Sequence, residues 1–160
     1  MYTQEITRRH RTAFVLMLDR SASMQGRVRF GRMMMTKAEA VAFTANALVT
    51  ELVDRSRRTD GVRDYYDVAI VGYGGDGVEM LTSEEGFSSI SRLSRRAPRL
   101  SRVAFEEMMP DGTAAMVEHS VEQWIEPKAE GTTPMYEAML RVRDMLQEWS
   151  AREENRASFP

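Results

Sequence analysis

The chain has 160 residues, enough for one domain with a sizeable core. Its 42% apolar and 29% charged residues are ordinary for a soluble globular protein, and a formal net charge of −2 gives no global pull toward nucleic acid or an anionic membrane. The absence of cysteine excludes a disulfide framework, a thiolate metal site and a cysteine nucleophile.

The segment MYTQEITRRH at residues 1–10 has no apolar stretch of the signal-peptide kind, and no apolar run reaches membrane-spanning length. The expectation is a cytoplasmic, soluble protein whose basic lead-in feeds a first strand at residues 12–19. There, Phe14-Val15-Leu16-Met17-Leu18 is a continuous apolar run that breaks off at Asp19. So short a run reads as a strand buried on both faces, as in parallel sheets. Its carboxyl end is where open α/β sheets bind ligands. Asp19, Ser21 and Ser23 offer three oxygens within one turn of loop. Oxygen donors without nitrogen or sulfur suit Mg²⁺, Mn²⁺ or Ca²⁺ rather than zinc or copper. The competing reading is a plain turn, because Asp and Ser hydrogen-bond their own backbone.

Residues 25–35, with Gly26, Gly31 and Met33-Met34-Met35, show no period and read as loop with a turn of helix at most. The methionines read as core filler or as an adaptable contact surface beside the Asp19 loop. From Thr36 a helical stripe begins: Val41, Ala45, Leu48, Val49 and Leu52. Thr36 with Glu39 forms a capping box, and Arg55, Arg57 and Arg58 suit the carbonyl end of a helix at 37–57. A second apolar run at 67–73 completes a βαβ unit, which predicts a parallel pair with a right-handed crossover.

Gly72, Gly74 and Gly77 match the spacing of a dinucleotide-binding loop, but Val78-Glu79-Met80-Leu81 reads as strand where a helix should open. Asp76-Gly77 is a hairpin signal, so an antiparallel edge hairpin is expected. Residues 82–111 carry a short helix candidate at 87–93. They also carry five arginines (Arg92, Arg95, Arg96, Arg99 and Arg102), which read as a solvated stretch pairing with local acids. Residues 121–125 are the candidate third parallel strand. Thr133 as N-cap and Pro134 at the first helical position start a second long helix at 134–152, whose stripe is Met135, Met139, Val142, Leu146 and Trp149. His10 and His119 read as surface residues, so no paired acid and base supports hydrolysis and the chain is not expected to be an enzyme.

Asp19-Arg20-Ser21-Ala22-Ser23 resembles the DxSxS motif of von Willebrand factor A (vWA) domains, and Gly131-Thr132-Thr133-Pro134 resembles that family's GGTP loop. The resemblance is to stand-alone bacterial members. It implies a three-layer Rossmann-like α/β sandwich with a mainly parallel sheet and an antiparallel edge hairpin. It also implies a metal-ion-dependent adhesion site. Carried residue by residue, Ser21, Ser23 and Thr133 meet Mg²⁺ (or Mn²⁺ or Ca²⁺) directly or through water, and Asp19 is an outer acceptor. Thr132 stands where the family has glycine, and Ala22 where it often has glycine. The family's next strand, ending in a further aspartate, would follow Pro160. The resemblance therefore covers residues 1–160 as the N-terminal two-thirds of one such domain.

Two functions follow as expectations. One is a protein-binding module whose cation takes an Asp or Glu of a protein partner. The other is a structural subunit with an incomplete metal site, in which a second polypeptide supplies the missing strand and aspartate. Neither nucleic acid nor membrane is an expected partner.

Overall fold

A computed structural model of the chain describes residues 10–158, apart from Asp76, Glu85 and Ala97. The elements in chain order are β1 (Thr12–Asp19), β2 (Arg27–Phe30), β3 (Met33–Thr36), α1 (Lys37–Ser56), β4 (Arg57–Arg58), β5 (Gly61–Val62) and β6 (Tyr66–Gly74). They continue with β7 (Gly77–Met80), β8 (Ser88–Ser89), α2 (Ile90–Ser94), β9 (Arg99–Met108), β10 (Ala114–Gln123) and α3 (Met135–Ala151). The fold is mixed α/β.

The predicted βαβ unit is present. β1 and β6 pair in parallel from Thr12↔Tyr66 to Asp19↔Tyr73. Hydrogen bonds from Thr12 N–H to the Tyr65 carbonyl (3.0 Å) and from Arg20 N–H to the Tyr73 carbonyl (2.8 Å) bracket the ladder. β7 and β8 then join β6 antiparallel, which bears out the hairpin reading of the glycine-rich turn; Asp76 of that turn lies outside the described residues. The two faces of this sheet are covered by different helices. Leu18, Val68 and Ile70 pack with Ala45, Val49, Leu52 and Val53 of α1 and with Ile90 and Leu93 of α2. On the opposite face Ala69 and Val71 pack with Met145 of α3, with Val15 and Val142 alongside. Each buried aliphatic side chain contributes about 1.5–3 kcal/mol relative to exposure, so packing on both faces of β6 adds substantially to stability.

α1 starts as the sequence predicts. Thr36 accepts a hydrogen bond from Glu39 N–H (3.1 Å) while the Glu39 carboxylate accepts from Thr36 N–H (2.7 Å). Leu48 departs from the predicted stripe and is exposed, because Asn46, Val49 and Val53 define the buried face. α3 begins at Met135, one residue later than predicted, and Pro134 occupies the cap position without a side-chain cap bond. Its buried face is Ala138, Met145 and Trp149, whereas Met135 and Met139 are exposed. Trp149 anchors the helix end by donating its indole N–H to Asp67 (2.9 Å), which also faces Arg11.

Three expectations fail. Residues 25–35 are no loop: Arg27–Phe30 and Met33–Thr36 form a hairpin, and Met35 is a buried core residue there. Residues 121–125 supply no third parallel strand. They overlap the end of β10, which pairs antiparallel with β9 from Ala114↔Met108 to Gln123↔Arg99. With β9 joined to β3, these strands make a second, wholly antiparallel sheet in the order β10-β9-β3-β2. The mainly parallel sheet is overturned as well: among the described strands only β1 and β6 pair in parallel. The physical reason is one-sided burial. β10 alternates exposed and half-buried residues, so it carries a period of two and no apolar run.

Candidate metal centre

The Asp19 loop is built by the end of β1 and by its own side chains. Asp19 Oδ1 accepts a hydrogen bond from Ser21 N–H (2.8 Å), and the Ser21 and Ser23 hydroxyls are 3.0 Å apart. Ser21 is buried, with 1% exposure; Ser23 faces solvent. The local turn anticipated as the competing reading is thus real.

The Gly131 loop is held against this turn by backbone hydrogen bonds. Ala22 N–H donates to the Gly131 carbonyl (3.1 Å), Glu130 N–H to the Arg20 carbonyl (2.9 Å), and Gly75 N–H to the Glu130 carbonyl (2.6 Å). Gln25 adds a side-chain bond to the Ala129 carbonyl (3.0 Å). Three segments far apart in sequence therefore meet at the carboxyl ends of β1 and β6. Glycine is required at two points of this junction. A Cβ on Gly131 (φ +66°) would stand 2.4 Å from Gly75 Cα, and one on Gly74 (φ +158°) would stand 2.4 Å from the Arg20 carbonyl carbon. Of the glycines whose spacing imitates a nucleotide loop, Gly74 serves close backbone packing, whereas Gly72 makes room for the Arg20 side chain.

Of the four predicted residues, Asp19, Ser21 and Ser23 share the turn. Thr133 lies two residues past the bonded Gly131, exposed, at the approach to α3. Thr132 turns its hydroxyl back toward the Gly75 carbonyl (3.4 Å). Two neighbours escaped the sequence reading. Tyr73 lies opposite Asp19 in the ladder and directs its hydroxyl to Met135 Sδ (3.9 Å). Burial and the Asp19 charge push its phenol pKa up. Arg20 lies over Gly72, where a Cβ would meet its Cδ at 2.6 Å, and donates to Glu79 (2.7 Å). Tyr73 could have been anticipated from the parallel register, since both runs end at the same sheet edge; Arg20 carried no signal.

The donor chemistry fits a hard cation. The Ser21 and Ser23 hydroxyls are hydrogen-bonded to each other at 3.0 Å, a separation that two adjacent ligands of an octahedral ion at about 2.1 Å would also have. Among the described residues no group of three or more His, Asp or Glu is placed to hold a metal. His119 is less isolated than predicted: it pairs with Glu107 across β9 and β10 and packs beside Phe105. The basic stretch is no loop throughout: Arg92 lies in α2 and Arg99 and Arg102 in β9, where the latter two pair with Glu126 and Glu118 as anticipated, while Arg96 bonds the Thr82 carbonyl. No helix of the described residues is long and apolar enough to cross a membrane.

No protein-family model, curated protein or solved structure matches this chain.

Proposed function

We propose that this chain is a vWA-type binding module with a three-layer Rossmann-like core, in which Asp19, Ser21, Ser23 and Thr133 hold Mg²⁺, Mn²⁺ or Ca²⁺. The ion binds a carboxylate from a protein partner. The observation that carries this reading is the junction of the Asp19 turn with the Gly131 loop, through Ala22 N–H to the Gly131 carbonyl at 3.1 Å. Hydroxyl ligands leave most of the ion's charge uncompensated, so an Asp or Glu is the ligand such an ion favours. The bound ion would supply Lewis-acid attraction for that carboxylate. The protein's own part is to orient the hydroxyls, with Asp19 fixing the turn through Ser21 N–H. The test is calorimetric titration of Mn²⁺ and Mg²⁺ into the chain and into Asp19→Ala and Ser21→Ala. Saturable binding lost in both variants is expected; binding unchanged in both would sink the assignment.

A second reading is favoured by one observation. The ladder bonds turn the even residues of β1 toward β6, so the N–H and C=O groups of Ala13, Val15 and Met17 point to an edge with no strand among the described residues. Beside that edge lies an open apolar groove of Met17, Met139, Val142 and Leu146. A second polypeptide adding a parallel strand there would pair these groups and cover the uncovered part of the predicted α3 stripe. In a preparation shown by mass to be the single chain, fast exchange of the Val15 and Met17 amides against slow exchange of Phe14 and Leu16 is expected. Equal protection of both sets would refute an open edge.

A further inference from the structure

A separate cavity lies between α1 and the antiparallel sheet. It has a volume of about 380 Å³, within the usual range of small-molecule pockets. Its walls are Ala42, Phe43, Ala47, Val103, Phe105 and Val121. Two of the polar side chains in the wall are already hydrogen-bonded to the protein. Asn46 donates to the Ile125 carbonyl (2.9 Å) and accepts from Trp124 N–H (2.7 Å) and Ile125 N–H (2.9 Å). Thr50 donates to Glu122 (3.1 Å) and accepts from the Trp124 indole (3.3 Å). A ligand therefore meets a mainly apolar interior, with Ser120 and Gln123 as further polar groups in the wall. The ionisable side chains that line the cavity are Glu39, Glu51 and Glu122, with no lysine or arginine among them. Glu51 is offset by Arg55 at 2.6 Å, whereas Glu39 and Glu122 accept hydrogen bonds from Thr36 and Thr50 and have no cationic partner in those contacts.

The geometry points to a binding site for a small organic cation with an apolar or aromatic body, its ammonium placed at the Glu122 end of the mouth. The body displaces water from Phe43, Val103 and Phe105, and the carboxylates reject anions. Phe43 is fixed from behind by Phe30, edge-to-face at 5.7 Å, so one wall is held in place before any ligand arrives. A cavity of this size suits a small molecule; a protein partner would need about 800 Å² of surface on each side.

The experiment follows side-chain NMR signals of the full chain while 2-phenylethylamine is titrated in, with neutral 2-phenylethanol and anionic 3-phenylpropionate as parallel titrants. The amine is expected to shift Val103 and Val121 saturably, the alcohol to bind at least about threefold more weakly, and the acid to give no shift, as partly exposed charge pairs imply. Glu122→Gln keeps an acceptor for Thr50 and should weaken the amine about two- to fivefold without changing the alcohol. Ala47→Trp, at an exposed wall position, should abolish both. Equal affinity for amine and alcohol, amine binding that survives Ala47→Trp, or no saturable shift would each overturn the proposal. If Ala47→Trp fails to fold, Glu122→Gln decides alone.

Discussion

β6 and β10 have nearly the same length, nine and ten residues, and opposite surroundings. β6 runs between two helical layers with Val68, Ala69, Ile70 and Val71 at 0–2% exposure, while none of β10's residues is fully buried. A strand covered on both faces must be apolar at every position, and a strand covered on one face must be apolar only at alternate positions. The same contrast divides the candidate sites. The Asp19 turn sits at the end of β1, beside the doubly buried β6, held by backbone bonds from three segments. The cleft on α1 lies beside the half-exposed sheet, where side chains leave a gap.

The largest test of this contrast is a pair of truncations. Ile70→Ala should cost about 2–5 kcal/mol in urea unfolding, and Val121→Ala on β10 about 1 kcal/mol or less. Equal costs would mean that β10 is as deeply covered as β6. Next comes the joint between the two regions. Asn46→Ala strands the Trp124 and Ile125 amides and the Ile125 carbonyl, so a loss of about 2–3 kcal/mol is expected, with faster exchange at those two amides. Loss of stability without faster exchange there would assign Asn46 a packing role instead. Gly131→Ala should cost about 1–3 kcal/mol through positive φ alone and should move Gly75 and Ala22. Shifts in their amide resonances, with weaker Mn²⁺ binding and an unaffected amine cleft, would keep the two sites distinct.

The smallest effect concerns pH. Asp64 ties the start of β6 to α2 by accepting from Ser91 N–H (2.9 Å). Burial raises its pKa, but hydrogen bonds from Ser91 and Ser89 and the Arg11 charge outweigh it, so the folded value lies below the usual one of 3.8. A depressed carboxylate pKa stabilises the fold above the unfolded value, and that contribution is lost as pH falls through the folded value. Exchange at the Ser91 amide should therefore accelerate below about pH 4, and Asp64→Asn should remove that dependence while β9 and β10 are unaffected.

Local chemistry determined what the sequence could reveal unaided. The β1 and β6 runs, the Thr36–Glu39 capping box, the hairpin at Gly74–Gly77 and the Asp19–Ser21–Ser23 turn each depend on neighbours within a few residues. Two-faced burial and helix capping leave their mark directly in the order of residues. What only the tertiary structure decided was which partner covers each half-apolar element. Residues 121–123 joined β9, rather than lying parallel to β1, because alternate apolar positions fit any one-sided sheet and do not specify direction. Met33–Met35 became a strand for the same reason: β2 along its length, and β9 at Met33 and Met34, supplied the neighbours that three unbranched side chains could not announce. On α3 the apolar stripe is wider than the buried one, and only packing against β6 chose Ala138, Met145 and Trp149 over Met135 and Met139. The approach of Gly131 to Gly75 and Ala22 was likewise a property of the assembled sheet edge, since it depends on bonds between segments more than 50 residues apart in the chain.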